Sequence, residues 1–201
     1  MTQRVVTRQP DLRQVEPRWR LDPTCMLYLP FWNMPDGTIY LSQDAYGHTC
    51  TRTGATPTGQ GWWSFDGTDD YISLGNITPF DWEYTQALTI AVWTKPTDIL
   101  SPQYQMYYDK YSEATTRGYT LYTNNGTLTL SINNAASSQA TIALSNSVWQ
   151  FLVVTHDGSG VGTGIKIYID NVDRTGVPSG STTADPGNAL AAWIGGRSEA
   201  N

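Results

Sequence analysis

The stretch "GYTLYTNNGTLTLSIN", residues 118–133, decides the fold. Leu128, Leu130 and Ile132 fall on one face and Thr127, Thr129 and Ser131 on the other, the period of two expected of a strand with one covered face. Between this run and "GYTLYTN" stands Asn-Asn-Gly, whose residues tolerate the positive φ of a tight turn, so the two runs are predicted to form a hairpin. Ile165, Ile167 and Ile169 alternate in the same way against Lys166, Tyr168 and Asp170, and "IDNV" (169–172) reads as a second tight turn.

Outward from these hairpins, short runs bounded by turn residues recur along the chain. They are "MLYLPF" (26–31), "HTCTRTG" (48–54), "WWSFDG" (62–67), "YISLG" (71–75), "ALTIAVWTKP" (87–96), "MYYDKY" (106–111), "QATIALS" (139–145), "WQFLVVTHD" (149–157) and "AAWIGG" (191–196). Alternation puts Tyr107, Asp109 and Tyr111 on one face and Tyr108 and Lys110 on the other. No segment has a helical period. A dozen short strands with such turns predict an all-β protein, a two-sheet antiparallel sandwich of jelly-roll type.

Composition agrees, with 8 Trp and 12 Tyr among 201 residues and few Lys or Glu. Residues 1–22 have no clear period and are read as an extended arm, with residues 23–201 as the domain. Residues 1–20 hold Arg4, Arg8, Arg13, Arg18 and Arg20 against Asp11 and Glu16, a net +3, which leaves −9 of the total −6 for the rest. An acidic body repels phosphate, so nucleic-acid binding by the domain is not expected; the arginines suit a docking arm. No apolar run is long enough to cross a membrane, and no secretory signal is legible in the first thirty residues. Cys25 and Cys50 are too few for a zinc site; a disulfide worth about 3 kcal/mol and two free thiols are both open.

Five stretches now stand in order: "FDGTDDYISLG", "LTIAVWTKP", "GYTLYTNNGTLTLSI", "WQFLVVTHDGSGVGTGIKIYIDNV" and "AAWIGGR". In order and spacing they resemble the laminin-G-like domains of the concanavalin-A-like lectin/glucanase superfamily. "LYLPFWNMPDGTIYLSQDAYGHTCTRTGA" (27–55) is similar to that family's first strand and the loop after it. The resemblance covers roughly residues 25–197 and implies a concanavalin-A-like sandwich. It also implies a last strand after "IGGR", which this sequence does not show before Asn201. A strand edge near "MLYLPF" is therefore expected to stay open, exposing Leu27, Leu29 or Phe31. A strand from a second subunit, or from a longer chain of which this is a fragment, is favoured to close it over the arm.

Asp66, Asp69 and Asp70 crowd one turn, where their carboxylates can accept backbone hydrogen bonds or hold one structural calcium, the ion the resemblance implies. Asp81 and Glu83 are the one acidic i, i+2 pair that stands out, but the E-x-D-x-x-E motif of the superfamily's glucanases is absent, so they are read as solvated loop charges and no hydrolase is expected. His156 is assigned to packing, as are Trp93, Trp149 and Trp193.

Sugars stack on aromatic rings and hydrogen-bond to amides, which makes Trp82, Tyr84, Tyr104, Tyr108, Tyr122, Asn124 and Asn125 the candidate ligand-binding residues. The expected function is a non-enzymatic interaction module for a glycan or cell-surface ligand, outside the cell or on a virion. The alternative is a structural or decoration protein of a virus or phage particle, docked through its arm on a capsid or tail protein or by self-association.

Overall fold

The computed structural model describes residues 22–34, 37–100 and 103–198. Its strands are β1 (Ile39–Leu41), β2 (Thr49–Thr53), β3 (Thr56–Pro57), β4 (Trp63–Ser64), β5 (Tyr71–Ser73), β6 (Leu88–Thr94) and β7 (Gln105–Ser112), then β8 (Arg117–Asn124), β9 (Thr127–Ile132), β10 (Ala136–Ala143), β11 (Gln150–His156), β12 (Ile165–Ile169), β13 (Val172–Asp173) and β14 (Trp193–Ile194). They form an eight-stranded sheet in the order β1-β2-β5-β14-β7-β8-β9-β10, a four-stranded sheet β13-β12-β11-β6 and a small β3-β4 hairpin, every pair antiparallel. The protein is an all-β sandwich, as expected.

Both turns read from the sequence are formed. Asn125 and Gly126 have φ of 47° and 74° between β8 and β9, and Asp170 and Asn171 have φ of 52° and 63° between β12 and β13. Two successive positive values match the twist of paired strands, which is why Asn, Asp and Gly occupy these positions. Gly118 is required for another reason: a Cβ on it would stand 1.9 Å from the carbonyl oxygen of Lys110 on β7.

The core lies between the sheets. Leu121, Leu128, Leu130 and Ile132 of the large sheet face Leu152, Val154, Ile165, Ile167 and Ile169 of the small one, all essentially without solvent contact. Thr129 and Ser131 are buried too, because β9 has β8 and β10 on its flanks and short side chains there are shaded by longer neighbours. On β7 the simple alternation fails. The register shifts between Met106 and Tyr108, and Tyr107 packs against the core beside Tyr108, since a bulge carries adjacent side chains to one face.

"MLYLPF" does not form the expected strand. It runs extended and ends in a 3-10 turn, Phe31–Asn33. Tyr28 is its tie to the Ser42–Asp44 loop: its carbonyl accepts from Gln43 N–H at 2.9 Å and its N–H donates to Asp44 Oδ2 at 2.9 Å. Leu27, Leu29 and Phe31 are half-buried against the core rather than exposed. The arginines of the arm lie outside the described residues. Both cysteines are free, Cys50 buried and Cys25 partly so.

Candidate functional site

Antiparallel topology gathers the end of β6, the start of β7, the β8–β9 turn, the end of β10 and the start of β11 at one end of the sandwich. Side-chain amides tie these connections together. Asn146 Oδ1 accepts from Ile99 N–H at 2.8 Å, Gln150 Oε1 from Ser145 N–H at 2.6 Å, and the Gln105 amide donates to the Asp98 carbonyl. The backbone adds Leu144 N–H to the Gly126 carbonyl at 2.9 Å and Ser147 N–H to the Pro96 carbonyl at 2.7 Å.

Four of the candidate ligand-binding residues meet at this end. Tyr104, 53 % exposed, packs edge-on against Tyr122 at 4.9 Å between ring centroids, and Asn125 Nδ2 donates to Asn124 Oδ1 at 2.8 Å at the tip of the neighbouring turn. The other three are elsewhere. Trp82 and Tyr108 are core residues: Trp82 meets Tyr119 at 4.6 Å and gives its indole N–H to the Gln86 carbonyl, and Tyr108 stacks on Tyr119 at 5.2 Å. Half-buried Tyr84 sits by Gly160 at the opposite end. Trp82 and Tyr108 therefore cannot offer a ring to a surface ligand.

Two further aromatics were assigned to the core and are not in it. Trp93 is 60 % exposed and tilted 5.0 Å from Phe151, while Trp149 is 40 % exposed and edge-on to Trp62 at 5.7 Å; only Trp193 is buried as expected. The signal was available in phase. Leu88, Ile90 and Val92 take the inner side of β6, so Trp93 must take the outer one, as Trp149 must with Phe151 on β11.

In the turn 66–70, Asp66 Oδ1 accepts from Thr68 and Asp69 N–H at 2.8 and 3.4 Å, and Asp70 Oδ2 from Asp66 N–H at 2.7 Å. Asp70 is seated against Gly54, where a Cβ would stand 1.8 Å from its Oδ1. One oxygen from each of Asp66, Asp69 and Asp70 lies within 4.8 Å of the others. Turn-making thus uses some of the oxygens, and the remainder suit a hard cation.

The acidic pair Asp81 and Glu83 does not converge on a groove. Glu83 is exposed, whereas Asp81 is partly buried with Oδ1 3.2 Å from Lys110 Nζ, so it is not a solvated loop charge. Asp109 is buried and accepts from Ser198 N–H and Oγ, both at 2.8 Å; burial raises its pKa. His156 is buried beside Trp82, and Gly158 and Gly160 N–H approach its two ring nitrogens at 3.2 Å each. A neutral imidazole accepts only one such bond, so its role is to anchor this connection; burial lowers its pKa.

Residues 66–201, two thirds of the chain, match a laminin-G family model described as the concanavalin A-like lectin/glucanases superfamily. Among solved structures, the chain is similar to the binding domain of Paraclostridial Mosquitocidal Protein 1, with a TM-score of 0.58 and 9 % identity over 77 % of this chain and 41 % of that one. It is similar to the receptor binding domain of botulinum neurotoxin C/D mosaic serotype (TM-score 0.56, 14 % identity, 77 % and 40 %). It is also similar to a structure of botulinum neurotoxin type C, whose cell entry is dependent upon interaction with two ganglioside molecules (TM-score 0.54, 12 % identity, 77 % and 39 %). At these identities the likeness is one of fold, and the chain spans about two fifths of each of those chains. A search of the curated proteins finds no match.

Proposed function

The chain belongs to the concanavalin A-like lectin/glucanases superfamily, and on that premise we propose that it is a non-enzymatic binding module that takes a surface glycan at the loop-bearing end of its sandwich, outside the cell. The observation behind this reading is the convergence of Tyr104, Tyr122, Asn124 and Asn125 at the end where Trp93 and Trp149 are also exposed. Sugar C–H faces stack on such rings and hydroxyls bond the amides, while connections pinned by Asn146 and Gln150 are already ordered before binding. The similar solved structures are binding domains, one of them studied for ganglioside interaction, which supports the same class of ligand. A hard divalent cation at Asp66, Asp69 and Asp70 belongs to this reading as a structural ion.

The test is a glycan array with the unmodified chain and with Tyr104→Ala, Trp149→Ala and Tyr84→Ala. Binding to a defined glycan class, lost at least about tenfold in the first two variants and kept in the third, is the expected result. No binding to any glycan, or binding untouched by Tyr104→Ala and Trp149→Ala, overturns it.

A further inference from the structure

The backbone donors at the loop-bearing end are already in use. Ile99, Leu144, Ser145, Ser147 and Phe151 give their N–H groups to Asn146 Oδ1, the Gly126 carbonyl, Gln150 Oε1, the Pro96 carbonyl and Asp170 Oδ1, all at 2.6 to 2.9 Å. The Gln105 side chain is engaged at both polar atoms, its nitrogen on the Asp98 carbonyl and its oxygen on the Thr123 hydroxyl at 3.2 Å. Anion sites in proteins are built from unspent backbone N–H groups or from Arg and Lys, and these five amides are spent. Asn124 and Asn125 keep side-chain N–H groups, which are neutral and serve the oxygens of sugar hydroxyls.

Charge at this end is acidic. Asp98 is exposed, and the Gln105 amide on its carbonyl holds it beside Tyr104. Asp170 is exposed at the β12–β13 turn, where its Oδ1 takes the Phe151 N–H and its own N–H donates to the Phe151 carbonyl at 2.8 Å. Phe151 lies 5.0 Å from Trp93 and two residues after Trp149, so this carboxylate stands among the exposed rings. Lys95, exposed just past the end of β6, is the one basic side chain on these connections among the described residues. The others are placed elsewhere. Lys110 is buried against Asp81, Arg52 lies over Trp63 at 5.0 Å, Arg197 meets Glu113, and Arg117 begins β8 at its far end. Lys166 and Arg174 are level with Thr155 and Ile167, away from the turn. The chain outside residues 1–20 carries a net −9, which adds a field of the same sign.

We infer that this end takes uncharged, hydroxyl-rich sugars and turns away those bearing a carboxylate or a sulfate, with Asp98 and Asp170 as the specificity-determining residues. The inference rests on the glycan-binding reading above and names its ligand class. Sugar hydroxyls donate to carboxylate oxygens, and a bond to a charged acceptor is about twice as strong as a neutral one. An anionic sugar meets the opposite situation. Its charged group has no proton to give Asp98 or Asp170, faces two like charges against the single counter-charge of Lys95, and finds the backbone amides taken. Selectivity thus comes from repulsion of the charged sugar as much as from attraction of the neutral one.

The experiment presents the full chain with matched pairs of immobilised sugars: lactose and sialyllactose, N-acetyllactosamine and its sulfate ester, a β-glucoside and the matching β-glucuronide. In each pair that binds, the neutral member should bind at least about tenfold more tightly at about 0.15 M salt, and the preference should shrink at about 1 M, where charges are screened beyond about 3 Å. The double variant Asp98→Asn, Asp170→Asn keeps an acceptor for the Phe151 N–H and the tolerance for a φ of 52° at position 170. Its preference should be at least about threefold smaller. Charged members bound as tightly as neutral ones or more so, or a preference that neither salt nor the double variant changes, overturns the inference. If Tyr104→Ala still removes that binding, the glycan-binding reading itself stands. No binding to any member overturns both.

Discussion

Lys110 Nζ lies 3.2 Å from Asp81 Oδ1, with the lysine side chain wholly buried and the aspartate about one third exposed. The ammonium group's three hydrogens go elsewhere, to Asn76 Oδ1 at 3.0 Å and to the carbonyls of Asn188 and Leu190 at 3.1 and 2.6 Å. Asn188 in turn donates to the carbonyl oxygens of Lys110 and Arg117. One buried cation thus joins β7 to the connection before β6 and to the segment leading into β14.

Lys110→Met should destabilise the fold by about 3–5 kcal/mol, because it leaves three acceptor oxygens without their donor and the partly buried Asp81 carboxylate without its counter-charge. Asp81→Asn should cost less, about 1–3 kcal/mol, since Lys110 loses its counter-charge but keeps its three acceptors and the Asp81 side chain is about one third exposed. Urea midpoints of the two variants check the ranking; equal losses would mean that the ion pair, not the carbonyl cage, holds the lysine.

Burial of His156 predicts a pH dependence. Its folded pKa lies below the ordinary 6.5, so the unfolded chain binds the proton more readily. The associated stability is full above about pH 6.5 and is lost as pH falls from there toward the folded value, with a slope of at most about 1.4 kcal/mol per pH unit. Unfolding free energies at pH 7.5 and 5.5 should differ less in His156→Gln than in the unmodified chain.

The thiols should differ in reactivity. Burial, with Asp44 adding to it, pushes Cys50 up to about 12, and burial also raises Cys25. In a thiol-reagent assay of the native chain Cys25 should label slowly and Cys50 only on unfolding, and non-reducing mass measurement should show two free thiols.

Calcium should bind the 66–70 turn with a dissociation constant of about 10⁻⁴–10⁻³ M. Asp69→Asn is the informative variant, because neither Asp69 oxygen is used by the turn bonds that Asp66 and Asp70 make. Calorimetry should show the heat of binding vanish while the melting temperature without calcium stays the same. Unchanged binding in Asp69→Asn would place the ion elsewhere.

The sequence by itself determined the sheet-forming segments and their tight turns. Alternation such as Ile165, Ile167 and Ile169 and dipeptides such as Asn125-Gly126 are local codes, written in side-chain period and in tolerance for positive φ. It also placed His156 in a packing role and the 66–70 carboxylates in a turn. Only the tertiary structure decided which aromatics reach solvent. Trp82 and Tyr108 went to the core and Trp93 and Trp149 to the surface, because exposure depends on which strand lies beside and which sheet lies opposite, and neither is encoded within one segment. Strand formation at residues 26–31 was decided the same way: an extended run becomes a ladder only where a second backbone offers its N–H and C=O groups, and among the described residues Tyr28 finds a loop instead.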